Sequence, residues 1–218
     1  MTQAVSPSLA VEVVPVTAFQ QNCSILIERA SGKAALVDPG GQVDLIRAAI
    51  ERAGAKVEQI LITHGHCDHA GATAQLAREL QVPIIGPHEA DRFWIESLPV
   101  QAGSFGLEPA EAFEPERWLV DGDRVQLGEL ELEVLHCPGH TPGHVVFFHR
   151  DSKFCVVGDV IFKGSIGRTD FPRGDHATLI RSIEGKLLPL GDGVSFLPGH
   201  GPRSSFGHER RTNPFLRP

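Results

Sequence analysis

Three imidazoles and one carboxylate fall within the six positions His64-Gly65-His66-Cys67-Asp68-His69, directly after the apolar run Ile60–Ile62 and Thr63. In an extended segment His64 and His66 point to the same side. As the chain turns into the helical stripe of Ala72, Leu76 and Leu80, Asp68 and His69 can face the same cavity from below. A fold for this chain must therefore bring a strand end to a polar hollow. Neutral imidazoles and carboxylates are the usual ligands of zinc, iron and manganese. So dense a group reads as a metal-ligand motif before it reads as a solvated, histidine-rich turn.

Four ligands of one motif can hold a single cation. Three more candidates stand just beyond other predicted strands: His140 in His136-Cys137-Pro138-Gly139-His140, Asp159 in Val157-Gly158-Asp159, and His200 in Leu197-Pro198-Gly199-His200. Strand ends of one sheet protein share a rim, so residues following different strands can converge there. Glycine precedes each of the three, as a tight turn with close backbone approach requires.

The strands themselves are predicted at Ala34–Val37, Ile60–Ile62, Leu130–Leu135, Val145–Phe148, Phe154–Val157 and Val194–Leu197. A hairpin joins Val125–Leu127 to Leu130–Leu135 around Gly128-Glu129, with Glu131 and Glu133 on the solvent face. Helices are predicted on the stripe Val43, Ile46, Ile50 and Ala53 closing at Gly54, and on Ala72–Leu80. A third runs from an N-cap at Asp175 through Leu187, stopping before Pro189, while Pro99–Pro115 is expected to be a long surface loop. Helices and strands intermix throughout, so residues 1–218 are expected to form one α/β domain.

Composition narrows the chemistry. A net charge of −7 with scattered Lys and Arg argues against a nucleic-acid partner, and no basic amphipathic helix suggests a membrane surface. The start lacks the basic and apolar regions of a secretory signal, which predicts a cytoplasmic protein acting on a small molecule. Cys23, Cys67, Cys137 and Cys155 form no CxxC pair and read as reduced thiols. There is no tyrosine, so no mechanism can use a phenol. Oligomeric state is left open.

With these positions in hand, the chain resembles the metallo-β-lactamase superfamily, whose HxHxDH signature and later His, Asp and His match nearly end to end. The resemblance implies an αββα sandwich with a binuclear metal site on its strand-end rim. It implies that His64, His66 and His140 bind one divalent metal, that Asp68, His69 and His200 bind the other, and that Asp159 bridges them. Zinc leads, with iron or manganese served by the same ligands. Val37-Asp38-Pro39-Gly40-Gly41, Gly167-Arg168-Thr169-Asp170-Phe171 and Asn213-Pro214-Phe215-Leu216 resemble the short bacterial glyoxalase II-like (hydroxyacylglutathione hydrolase) branch. Asp38 is then expected to accept a ligating imidazole N–H. His136 and His144 are expected to be hydrogen-bonded or surface histidines, and Cys67 a neighbour of the site rather than a ligand.

The implied activity is hydrolysis of a thioester such as S-D-lactoylglutathione to a 2-hydroxy acid and glutathione. Two metals about 3.5–4 Å apart share a water and bring its pKa toward about 7, supplying hydroxide, while Asp68 orients it and can accept its proton. A thiol of pKa about 8.5 leaves without a strong general acid. The alternative is a mononuclear iron persulfide dioxygenase of the same superfamily, which also carries the Gly-Arg-Thr-Asp-Phe run. The chain departs from the longer glyoxalase II pattern after His200: Pro202 stands where that pattern has tyrosine, and Arg210 and Arg211 are out of register with its basic pair. Arg168, nine residues after Asp159, keeps a cationic position whose planar fork suits a substrate carboxylate.

Overall fold

A computed structural model describes residues 2–216. Its first sheet runs in chain order: β1 (Gln3–Ala4), β2 (Leu9–Val16), β3 (Gln21–Glu28), β4 (Lys33–Val37), β5 (Lys56–Leu61) and β6 (Ile84–Ile85). The β1–β4 neighbours pair antiparallel, and β4–β5 and β5–β6 pair parallel. The second sheet uses β7 (Arg124–Leu127), β8 (Leu130–His136), β9 (Val145–His149), β10 (Phe154–Gly158), β13 (Ser195–Pro198) and β14 (Ser204–Ser205), ordered β14-β13-β10-β9-β8-β7. A small ribbon, β11 (Ile161–Phe162) and β12 (Ser165–Ile166), follows β10.

The strand sequences dictate a layered packing. Along β4, Ala35 and Val37 face the other sheet while Ala34 and Leu36 face outward; along β9 and β10, Val145, Phe147, Phe154 and Val156 face inward and Val146, Phe148, Cys155 and Val157 outward. Both faces are apolar, so each sheet needs a cover on its outer side. Helices α1 (Val43–Ala53), α2 (Cys67–Ala70), α3 (Thr73–Leu80), α4 (Arg92–Glu96) and α5 (Leu98–Phe105) belong to the first sheet's side, where Ile46, Ala49, Leu76, Ile95 and Leu98 join its outer core. Helices α6 (His176–Ser182) and α7 (Phe206–Thr212) cover the second through Leu179 and Phe206. The result is the expected αββα sandwich.

The predicted strands and the Gly128-Glu129 hairpin are present, with Leu127 opposite Leu130. Helix α1 ends on Gly54 in the left-handed region, and Asp175 caps α6 by accepting from the Thr178 N–H at 2.7 Å. Two expectations need correction. The segment Pro99–Pro115 is not wholly a loop: Pro99 sits in the first turn of α5, where its missing N–H costs nothing, and only the stretch after Gly106 is irregular. The third helix does not run regularly to Leu187; α6 closes at Ser182 and continues as a π turn over Ile183–Leu187 and a 3₁₀ turn that takes in Pro189. Among the described residues no helix is long and apolar enough to cross a membrane.

Candidate metal centre

Every sequence-predicted ligand lies at one rim. His64 follows β5, His140 follows β8, Asp159 follows β10, and His200 follows β13. Strands β8, β10 and β13 all run the same way, because β9 is antiparallel to both β8 and β10 and β13 is parallel to β10. Their C-terminal ends therefore open on one side. The two sheets are joined there: Asn22 N–H donates to Gly199 O at 2.7 Å, and Val145 N–H to Thr63 O at 2.8 Å.

Two clusters result, His64–His66–His140 and Asp68–His69–His200, each with its ligand atoms within 4.8 Å of one another. In the first, His66 Nδ1 lies 3.1 Å from His64 Nε2 and 3.0 Å from His140 Nε2. In the second, His200 Nε2 lies 3.4 Å from His69 Nε2 and 3.2 Å from Asp68 Oδ2. Asp159 reaches both: Oδ1 is 3.3 Å from His69 Nε2, and Oδ2 is 3.6 Å from both His140 Nε2 and His200 Nε2.

Four of the five imidazoles have the nitrogen that faces away from the centre committed to a protein oxygen. His140 Nδ1–H donates to Arg168 O at 2.7 Å and His200 Nδ1–H to Phe19 O at 3.1 Å. Asp38 organises the other two. Held with φ of 52°, it accepts the His69 Nδ1–H at 2.9 Å and the Thr63 hydroxyl at 2.6 Å, and Thr63 Oγ1 in turn meets His64 Nδ1 at 3.0 Å. These bonds place the Nδ1–H outward and turn each Nε2 into the centre, where it can offer a lone pair once it carries no proton.

The charges are arranged for a cation. Burial keeps His64 and His140 below the ordinary histidine range and takes His66 down to about 3, so this trio is neutral. Burial opposes charge on His69 as well, but Asp159 and Asp68 outweigh it and raise it well above its usual value. His200 is raised too, burial being overcome by its bond to Asp68 and by Asp159. Against burial, His69 holds both Asp159 and Asp68 ionised.

The donor set fits metal ions. Asp159 Oδ1 is buried without a hydrogen-bond partner while facing imidazole nitrogens, an arrangement whose desolvation cost a cation offsets. Nitrogen separations of 3.0–3.4 Å are the edges expected of ligands each about 2.0–2.1 Å from one ion. At Gly199 an added Cβ would meet Asp159 Oδ1 at 2.1 Å and His69 Cε1 at 2.5 Å, so the backbone itself forms part of the cradle.

Sequence reasoning missed the braces. Asp91, without exposed surface, accepts from Gly65 N–H at 3.0 Å, Gly143 N–H at 2.6 Å and the Thr141 hydroxyl at 2.8 Å, clamping the His64–His66 loop to the His140 loop. Burial pushes its carboxyl up to about 6 despite those three bonds. Gln101 accepts the Cys67 N–H at 3.0 Å and donates to Gly65 O at 3.2 Å. His144 stacks on His64 at 4.7 Å and accepts the Asp159 N–H at 3.0 Å, while His136 bonds Pro142 O at 2.8 Å. Asp91 and Gln101 have no local signal, since single Asp and Gln residues are common in cores and turns, whereas His136 and His144 are hydrogen-bonded, within what is expected of them. Cys67 is buried and lines the cavity over the centre. Arg168 also lines it, but its fork is engaged by Asp170 at 3.0 and 2.8 Å.

Residues 16–200 match the Metallo-beta-lactamase superfamily. A relative named hydroxyacylglutathione hydrolase GloC, from Haemophilus influenzae, is 48% identical over 94% of this chain and 97% of its own length. Among solved structures, TTHA1623 in a di-iron-bound form superposes with a TM-score of 0.86 at 36% identity, covering 94% of this chain and all 100% of that one. The BLEG-1 B3 metallo-beta-lactamase does so with a TM-score of 0.86 at 33% identity, covering 94% and 99%.

Proposed function

The chain belongs to the metallo-beta-lactamase superfamily and is a metallohydrolase, and from that premise we propose that it hydrolyses a thioester such as S-D-lactoylglutathione to a 2-hydroxy acid and glutathione. The observation that carries the reading is the pair of complete ligand clusters sharing Asp159. His64, His66 and His140 would hold one divalent metal and Asp68, His69 and His200 the other, with Asp159 common to both. Zinc, iron and manganese all suit these ligands. Held there, two such ions would supply Lewis acidity toward a carbonyl oxygen and would lower the pKa of a bound water.

The chain's own residues do the rest. Asp68, half-buried and 3.2 Å from His200 Nε2, faces the cavity and is the group placed to orient the attacking water and take its proton. Asp38, Thr63 and the carbonyls of Arg168 and Phe19 keep the imidazoles in the required tautomers. Attack forms the new C–O bond, the C–S bond breaks, and the thiolate needs no side-chain acid. Arg168 is the cation placed to meet a carboxylate of the tripeptide, exchanging Asp170 for it. Because ligands come from both sheets, we read residues 1–218 as one functional domain. Four buried free thiols and the charge of −7 favour a cytoplasmic enzyme with a small-molecule substrate.

Purified enzyme assayed in parallel for thiol release from S-D-lactoylglutathione, oxygen uptake with glutathione persulfide, and opening of a β-lactam tests the reading. Thiol release should dominate. Oxygen uptake without thioester cleavage would assign the chain to the iron dioxygenase alternative. Arg168→Ala should lower kcat/KM for the glutathione thioester by about tenfold, the worth of about 1.4 kcal/mol.

A further inference from the structure

The floor of the cavity is acidic and imidazole-rich, but its walls are not. Phe19, in the turn between β2 and β3, meets Phe105, at the end of α5, edge to face with ring centroids 6.0 Å apart. The two rings remain 44% and 52% exposed, and Val100 on the same helix is 71% exposed. Deeper in, Trp94 and Phe171 pack against His66 at 4.5 and 4.9 Å. Together these side chains wall a cavity of about 660 Å³ that opens over Asp68 and His200. Exposed apolar groups gathered at one concave place, rather than scattered singly, mark a binding surface.

The polar side chains of the α5 wall are already spent. The Ser97 hydroxyl donates to Trp94 O at 2.9 Å, the Ser104 hydroxyl to Val100 O at 2.8 Å, and Gln101 to Trp94 O at 2.7 Å. Arg168 is the one arginine or lysine among the described residues lining the cavity, and Asp170 holds its Nε and Nη2 edge. An apolar group can therefore displace water here at little cost in lost hydrogen bonds, whereas a carboxylate meets an arginine whose Nε and Nη2 are already paired. Phe19 is also fixed relative to the reactive centre, since its carbonyl accepts the His200 Nδ1–H at 3.1 Å. A group seated on it is thereby held in register with the metal cluster.

We propose that the preferred substrates carry an apolar substituent, several carbons long or aryl, next to the scissile thioester, and that Phe19, Val100 and Phe105 select it in preference to the charged tripeptide. This rests on the thioesterase reading. The metal-loaded enzyme is tested with straight-chain acyl groups of two to eight carbons on N-acetylcysteamine and on glutathione, and with an acetyl group on thiols of growing apolar size. In one of these series kcat/KM should rise about three- to fourfold per methylene, the acyl or the thiol series showing which side of the bond meets the wall. The glutathione moiety should add no more than the about tenfold assigned to its Arg168 contact. Phe105→Ser and Val100→Ser, both at exposed positions, should flatten the rise; Leu45→Ser, an exposed apolar residue on α1 outside this cavity, should leave it intact.

A flat or falling series on both sides of the bond, or a glutathione contribution well above tenfold, overturns the proposal. Turnover of S-D-lactoylglutathione without any gain from chain length defeats this inference alone. No turnover of any thioester defeats the thioesterase reading beneath it.

Discussion

Asp91 shows how much of the centre is set by a residue that touches no ligand atom. Its carboxylate satisfies three donors in two loops, and an asparagine there would turn one acceptor into a donor facing another donor, a loss of about 1–3 kcal/mol. Asp91→Asn should leave the fold assembled and weaken metal binding about 10- to 100-fold, as measured by chelator competition. Unchanged affinity would reduce Asp91 to a turn residue. A second expectation concerns protons. With His64, His66 and His140 lowered and His69 and His200 raised, the metal-free centre is protonated at pH 6 only on the second cluster. Loading metal at that pH should then expel about two protons per chain, against roughly four if all five histidines titrated near 6.5. Calorimetry in buffers of different ionisation enthalpy counts them, and a value near four would contradict the assigned charges. The sign carries over to affinity. Raised groups must lose their protons before they can ligate, so binding weakens as pH falls through their range. The seven candidate ligand positions stood out because metal chemistry restricts such sites to His and Asp and because His64, His140, Asp159 and His200 each follow a strand, with Asp68 and His69 in the short helix just beyond His64 and His66. Asp91 and Gln101 did not, because only tertiary approach gives them their partners.

At the scale of elements, the strand-to-loop turns decide whether ligands converge. Gly199 closes β13 beside Asp159 and His69, and Gly158 closes β10 with φ of 47° and no room for a Cβ beside His144 Nε2, 2.6 Å away. Gly199→Ala should preserve the circular dichroism spectrum yet drop metal content below one ion per chain, since the methyl group would occupy the space Asp159 and His69 share. Retention of both metals would show that the rim has slack the structure does not display. Sequence periodicity gave β4, β5, β7–β10 and β13, along with α1 and α3. It did not give β2 and β3, because their apolar runs are interrupted, by Glu12 and Pro15 in β2 and by Gln21, Asn22 and Ser24 in β3. Helix α5 was hidden by Pro99 and Gly103, residues that signal a loop unless the first sits in the opening turn.

The whole molecule is a device for holding two sheet edges against one another. Sheet one supplies His64, His66, Asp68 and His69, sheet two supplies His140, Asp159 and His200, and the bonds from Asn22 to Gly199 and from Val145 to Thr63 pin the seam. Metal binding should therefore stabilise the fold as well as activate it, because both clusters form only when the sheets are docked. The αββα class could be anticipated from the order of elements together with the family resemblance. The apolar cavity wall could not, because Phe19 lies some eighty residues before Val100 and Phe105, whose helix itself reads as a loop in the sequence. The central claim, that both ligand clusters are needed for hydrolysis, is tested most directly by adding zinc in measured equivalents to the metal-free chain while following S-D-lactoylglutathione cleavage. Activity should continue to rise beyond the first equivalent and level at two per chain; full activity at one equivalent would show that one cluster suffices.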